Sequence, residues 1–227
     1  MPTATIASVP AADRTTRALT RTLLTCGLIV GPLYLLAGIA QGWLKPGFSF
    51  ARHPLSVLAN GDYGWVQTAN FVVSGLLVIA AAVGVYRAIG RTARPTAVAL
   101  GAFGLGVLLA AVFPADPMDG FPPGTPLGPP TTITTTGLLH FVVSALAFIA
   151  FGVSALLAAR TLARRGEQAA SRLSRAAGVV MLAGFFGGFA LPSPVVGIWI
   201  SVVTGWAWLA LLSWHLRRQL PEDAPLP

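Results

Sequence analysis

Charged residues are scarce in this chain, and they are absent from the centres of its long apolar segments. Only 10% of the 227 residues are Asp, Glu, Lys or Arg, whereas 55% are hydrophobic. Soluble domains carry about 25% charged residues, so this scarcity excludes an ordinary water-exposed surface. The chain also has a single cysteine, which excludes an intramolecular disulfide and cysteine-rich zinc motifs.

Long apolar runs are abundant instead. Six of them reach or approach the roughly 17–25 residues that a helix needs to cross the hydrocarbon core of a bilayer. They predict an all-α membrane protein with six transmembrane helices, arranged as three outward-and-back hairpins. The fifth run is the shortest. The six are Leu19–Gly42, Trp65–Tyr86, Thr96–Phe113, Thr136–Ala158, Ala176–Leu191 and Val195–Trp214.

The basic residues predict the orientation. Thirteen of the fifteen lie before or at the start of the first run, after the last run, or in the second and fourth connections, and only Lys45 and Arg52 lie in the other connections. Because Lys and Arg accumulate on the cytoplasmic side, we expect a multi-pass protein of the cell membrane with both termini in the cytoplasm. The lipid bilayer is then its first partner. Nucleic acid is excluded as a partner, since almost no basic residue is left for the outer face.

The organisation predicted is one transmembrane domain, residues 18–216, between two disordered cytoplasmic tails, residues 1–17 and 217–227. A possible internal repeat lies within it. Residues 71–83 and 141–153 are identical at eight of thirteen positions without gaps, and both segments run from outside to inside. A triplicated hairpin explains this, but chance matches between Ala-, Val- and Leu-rich helices explain it equally well.

Two outer loops carry a recognisable pattern. The segment from Arg52 to Gly61 is followed by Gly64-Trp-Val-Gln, and later by Phe113-Pro-Ala-Asp-Pro, Gly120-Phe-Pro and Gly137-Leu-Leu-His. Across about residues 20–216 the chain resembles the bacterial and archaeal membrane proteins called domain of unknown function 998. The resemblance implies the six-span architecture and an important outer face, but no reaction. The chain departs from the pattern at Ser49 and Ala51, where many members have an acidic residue before the Arg-His pair.

The first outer loop contains a predicted short helix over His53–Asn60. Pro54 suits its first position and Gly61 its C-terminal stop. At 100° per residue, His53, Ser56 and Asn60 share one face. In one alternative the helix is anchored at the membrane surface and its polar face is exposed to water. In the other, the polar face lines a binding site.

Polar residues also form stripes at the outer ends of two predicted spans. The stripes are Gln67, Asn70 and Ser74 in the second span, and Thr136, His140 and Ser144 in the fourth. Polar side chains at membrane depth turn away from lipid toward protein or a water-filled cavity. Hydrogen bonding between helices accounts for most of these residues. The imidazole of His140 could also transfer a proton.

Asp116 and Asp119 flank a turn at the outer end of the third span. Asp-Pro and Asp-Gly are ordinary turn sequences, which is a sufficient explanation for Asp119. Asp116 could join His53 and His140 as a set of acid–base residues, and we predict that these three meet around an outward-facing cavity. The same three could hold zinc, but no local ligand spacing supports a metal; we therefore assign no metal and leave any cofactor open.

Three functions remain open at this stage. The first is a pocket at the outer leaflet that binds or modifies a lipid or lipid-linked molecule, with His53, Asp116 and His140 as catalytic candidates. In that pocket Arg52, Ser56, Gln67 and Asn70 would bind the substrate, and Arg52 would hold an anionic head group. The second is a small-molecule transporter or channel, and the third is a non-catalytic membrane scaffold. Whether the protein is an enzyme is left open.

Overall fold

The computed structural model describes residues 11–130, 132–191 and 193–221, with side chains from residue 14 onward. Within these ranges the chain forms six α-helices, two short 3₁₀ helices and no β-strand. The 3₁₀ helices are Leu55–Ala59 and Arg91–Ala93. The α-helices are α1 (Ala11–Leu44), α2 (Gly64–Ile89), α3 (Arg94–Val112), α4 (Thr135–Arg164), α5 (Gln168–Gly188) and α6 (Pro194–Gln219).

Five helices, namely α1, α2, α3, α4 and α6, are long and apolar enough to cross a membrane. The predicted class, an all-helical membrane protein, is therefore confirmed. The remaining helix, α5, is 21 residues long, but its first half carries Arg172 and Arg175, so its apolar part is short. That α5 also crosses, which the six-span arrangement requires, stays a prediction.

The helices close into a ring, because each packs against the next and α6 packs against α1. Aromatic side chains fill its centre. Phe103 of α3 stacks on Phe151 of α4 with ring centroids 3.8 Å apart, and Trp206 of α6 lies 5.5 Å from Phe103. Burying large aromatic side chains contributes strongly to packing, so α6 is a central part of the bundle. The internal repeat stays a prediction.

Small residues allow α6 to approach its neighbours closely. The sequence pairs Gly27/Gly31 and Gly184/Gly188 have the small-xxx-small spacing of tightly packed membrane helices. A side chain at Gly31 would bring its Cβ within 2.7 Å of the Trp206 Cβ, and one at Gly188 within 3.0 Å of the Gly197 Cα. Both pairs therefore lie at close contacts between helices.

The two ends of the domain are tied together. The Arg21 Nη2 donates to the main-chain oxygens of Leu220 (3.0 Å) and Pro221 (2.6 Å). The first helix already begins at Ala11 and α6 continues to Gln219, so both helices extend into the segments predicted as tails. Most of those tails, residues 1–10 and 222–227, lie outside the described residues.

Candidate functional site

Two loops, residues 45–63 and 113–134, pack on each other over one end of the bundle, and we call them the outer cap after the side predicted for them from the basic residues. The Asn60 Nδ2 donates to the main-chain oxygen of Ala115 at 3.0 Å, joining the two loops. The Lys45 Nζ donates to the main-chain oxygens of Leu58 and Asn60, both at 2.7 Å. Burial lowers the pKa of Lys45, although the negative charge of Asp62 acts in the opposite direction and favours the charged amine. Lys45 therefore acts here as a support for the loop backbone.

His53 lies at the centre of the outer cap and is fully buried. Its Nδ1 accepts the Ser49 N–H at 2.9 Å, and its Nε2 lies 3.0 Å from the main-chain oxygen of Asp119. A carbonyl oxygen can only accept, so the Nε2 must donate and the ring is in one defined neutral tautomer. Phe48 and Phe121 pack on the ring, with centroids 5.4 and 5.6 Å away. Both nitrogens of His53 are thus occupied by the protein itself.

The predicted helix around His53 is shorter than expected. It is a 3₁₀ helix over Leu55–Ala59, preceded by Pro54 in an extended conformation. Leu55, Val57 and Leu58 are buried, because the segment packs against α1 and α2. His53 lies before this helix and points into the outer cap, so the alternative in which it faces water does not apply. Ser56 is half-buried on the 3₁₀ helix.

Asp119 is the partner of both Arg52 and His53. The Arg52 Nη1 donates to the Asp119 main-chain oxygen at 3.3 Å and lies 3.7 Å from its Oδ1, and the Arg52 side chain is 46% exposed. Asp119 has a φ of 48°, and its Oδ1 accepts the Gly128 N–H at 3.0 Å. The predicted turn role of Asp119 is confirmed. Its contact with the Arg-His pair was not predicted.

Asp116 supports the start of α4. Its Oδ1 accepts from the Thr134 Oγ1 at 2.6 Å and its Oδ2 from the Thr134 N–H at 3.1 Å. Thr134 caps the helix by accepting the Gly137 N–H at 3.0 Å, and a carboxylate is favourable at a helix N-terminus. Any side chain at Gly137 would overlap the Asp116 carboxylate. Beside it is a cavity of about 230 Å³, lined by Asp116, Pro117, Thr125, Pro126, Pro129, Pro130, Thr132 and Thr134.

The α2 stripe faces the interior, as the sequence predicted. Gln67, Asn70 and Ser74 are all buried. The Asn70 Nδ2 donates to the Tyr34 main-chain oxygen at 3.1 Å and to the Gln67 Oε1 at 3.3 Å, and the Ser74 Oγ donates to the Asn70 Oδ1 at 3.3 Å. The Gln67 Nε2, in contrast, has no acceptor in regular hydrogen-bond geometry among the described residues, although the Gln67 side chain interacts with the buried Tyr34 hydroxyl. The stripe therefore ends in a donor that is not fully used.

His140 of α4 is also buried. Its Nδ1 lies 2.7 Å from the main-chain oxygen of Phe113, so the Nδ1 donates and the Nε2 keeps its lone pair. Within the described part of the chain, no donor hydrogen-bonds this Nε2. The Phe71 ring contacts both His140 and Tyr34, with centroids 6.5 Å and 6.2 Å apart, and Tyr34 in turn accepts through its main-chain oxygen from Asn70. We call Gln67, Asn70, Ser74 and His140 the interior cluster.

The predicted site residues thus fall into groups. Arg52 and His53 belong to the outer cap. Asp116 supports the start of α4 through Thr134. Gln67, Asn70 and His140 belong to the interior cluster. Across the described ranges, no hydrogen bond joins His53, Asp116 and His140 to one another, and no group of three His, Cys, Asp or Glu side chains is placed to hold a metal. Convergence of the three through water, and their catalytic roles, stay predictions.

A polar cluster at the opposite end of the bundle was missed from the sequence. Glu167, in the connection between α4 and α5, accepts hydrogen bonds from Arg165, His215 and Gln219. Partial burial opposes the charge, but these hydrogen bonds prevail and lower the pKa of Glu167 to about 2. His215 therefore connects α6 to this loop.

A family model described as "Protein of unknown function (DUF998)" matches residues 28–215, most of the chain. No curated protein and no solved structure matches it.

Proposed function

The chain belongs to the DUF998 family of proteins of unknown function, and we propose that it binds a lipid or lipid-linked molecule at the outer end of its bundle. The polar part of the ligand would reach the interior cluster. The observation that carries this proposal is the Gln67 Nε2, which is buried and has no acceptor in regular hydrogen-bond geometry among the described residues.

An unpaired buried donor is costly. Leaving such a group without an acceptor costs about 1–3 kcal/mol, and Gln67 is fully buried. A leucine or methionine of similar size would avoid that cost in a purely structural helix contact. A bound molecule that supplies a hydrogen-bond acceptor would remove this cost.

His140 supplies the complementary group. Its Nε2 can accept a hydrogen bond while its Nδ1 stays bonded to Phe113. A donor amide on α2 and an acceptor imidazole on α4 match a hydroxyl-bearing head group, because a hydroxyl both donates and accepts. An apolar chain attached to that head group would remain among the membrane-facing helices. This pairing favours a lipid or lipid-linked ligand over a simple ion.

The other predicted residues then have supporting roles. His53, Arg52 and Asp116 use their polar atoms within the outer cap and at the start of α4. We assign to them the positioning of the loops above the interior cluster, and to His140 any acid–base step. That the outer cap faces the cell exterior rests on the thirteen-to-two distribution of basic residues.

The proposal is tested by identifying what the protein retains. Wild type, Gln67→Met, His140→Phe and a control, His215→Gln, are purified in mild detergent from the same membranes and examined by native and lipid mass spectrometry. We expect wild type and control to retain one class of amphipathic molecule, and each interior variant to retain about tenfold less, since one hydrogen bond to a buried partner is lost.

Equal retention by all four proteins, or none by the wild type, would overturn the proposal. A co-purifying protein instead of a lipid would favour the scaffold function. Solute flux into proteoliposomes that the interior variants abolish, without any retained lipid, would favour the transporter.

A further inference from the structure

A second, separate groove lies between α2 and α3 near the Arg91–Ala93 3₁₀ helix, at the end of the bundle away from the outer cap. It has a volume of about 720 Å³. Ile79, Val83 and Val98 are among its apolar walls, and Arg91 and Arg94 stand at its mouth. We propose that this groove binds one anionic glycerophospholipid, with the phosphate at the two arginines and an acyl chain along the walls.

The two arginines lack a counter-charge. Within the described part of the chain, neither Arg91 nor Arg94 forms a hydrogen bond or an ion pair, whereas Arg87 donates to Thr20, Arg52 lies beside Asp119, and Arg165 bonds to Glu167. Arg160, Arg164, Arg175 and Arg217 also lack such a partner in this part of the chain, so what distinguishes Arg91 and Arg94 is that both line a groove with apolar walls.

The backbone adds to the positive charge. Arg94 begins α3, whose first turn has no acidic residue. A helix N-terminus carries about half a positive charge and favours an anion, so two unpaired guanidinium groups at this position repel it. A phosphate between the two arginines and the helix end would remove that repulsion and bond to Arg as it commonly does in proteins.

The groove has room and the right surroundings for a lipid. Its volume falls within the roughly 300–1,000 Å³ typical of ligand sites. Gly101 lines it, and a Cβ built on Gly101 would meet no atom within 4 Å, so the space beside α3 is open. The apolar walls exclude a free phosphate ion as the preferred ligand. Basic pockets between membrane helices on the cytoplasmic side bind anionic head groups, and the distribution of basic residues places this groove on that side.

Lipid titration monitored by native mass spectrometry tests the proposal with phosphatidylglycerol, phosphatidylcholine and glycerol phosphate as probes. Wild type should bind phosphatidylglycerol in preference to phosphatidylcholine. The double variant Arg91→Gln/Arg94→Gln should bind phosphatidylglycerol about 10- to 30-fold more weakly, as expected for two arginines at a membrane surface. Gly101→Leu, which fills the groove without a clash, should weaken the binding of both lipids.

Two matched controls separate a site from general attraction to positive charge. Arg172→Gln/Arg175→Gln on α5 removes two arginines with the same spacing as Arg91 and Arg94. Gly187→Leu matches Gly101→Leu, because a Cβ at Gly187 also meets open space. Both control variants should bind lipid as the wild type does. Equal losses in the two arginine pairs, unchanged binding in the Arg91/Arg94 or Gly101 variants, or full competition by glycerol phosphate would overturn the proposal. None of these outcomes bears on the interior cluster.

Discussion

The outer cap and the interior cluster both bury polar side chains at one end of the bundle, yet they use them differently. In the outer cap, both ring nitrogens of His53 are hydrogen-bonded to backbone groups. In the interior cluster, His140 keeps a free Nε2 lone pair and Gln67 an amide that is not fully used, as far as the described residues extend. Two buried histidines at the same end therefore differ in what they offer a ligand. Burial alone does not mark a binding site, whereas an unused donor or acceptor does.

The largest effect expected concerns the two histidines themselves. His53→Ala should lower the free energy of unfolding by about 3–5 kcal/mol, because it leaves a cavity and two unpaired backbone groups. His140→Ala also leaves a cavity but unpairs only one backbone group, so it should cost about 2–3 kcal/mol. Thermal unfolding in detergent measures both. A His140→Ala variant less stable than His53→Ala would reverse the distinction between the two regions.

A smaller loss is expected where Asp116 meets α4. Gly137→Ala should destabilise the protein by about 1–3 kcal/mol, as overpacking does, because the new methyl group would displace the carboxylate from the helix start. Gly187→Ala, in open space, should be neutral or slightly stabilising. Equal melting temperatures for the two variants would mean that Asp116 is free to move, and would return it to the acid–base candidates.

Within the interior cluster, neighbouring amides should behave differently. Asn70→Leu removes the donor to the Tyr34 main-chain oxygen and should cost about 1–2 kcal/mol. Gln67→Met should change stability by less than about 0.5 kcal/mol in lipid-free protein, since an unpaired donor is lost with the amide. Chemical denaturation of delipidated protein compares them. A large loss in Gln67→Met would show that its amide is already satisfied without a ligand.

The Glu167 cluster extends the comparison to the other end of the bundle. The folded-state pKa of Glu167, about 2, lies below its usual value of 4.5. Its stabilising contribution is therefore complete above pH 4.5 and is lost as the pH falls from 4.5 through 2. Melting temperatures of wild type and Glu167→Gln should differ by a few degrees at pH 7 and converge toward pH 2. A difference independent of pH would assign the effect to packing.

The helices and the inward direction of the α2 stripe and of His140 could be predicted from the sequence, because helical periodicity and the cost of polar groups in lipid are local properties. The prediction was wrong for Thr136 of the α4 stripe, which is exposed, and Ser144 is half-buried. The turn at Asp119 was predictable for the same reason. That its carbonyl meets His53, 66 positions earlier, was not, since it depends on how two irregular loops pack. The contact of Glu167 with His215, 48 positions away, and the groove beside Gly101 likewise depend on helix packing rather than on any local pattern.

The central claim is that the interior cluster is open to a ligand while the outer cap is closed. Solid-state nitrogen NMR of histidine-labelled protein, with His215→Gln to simplify assignment, tests it most directly. His53 should be protonated on Nε2 and His140 on Nδ1, and removing the co-purified lipid should shift only the Nε2 signal of His140. A shift at His53, or an unchanged His140 Nε2 signal on delipidation, would contradict the account.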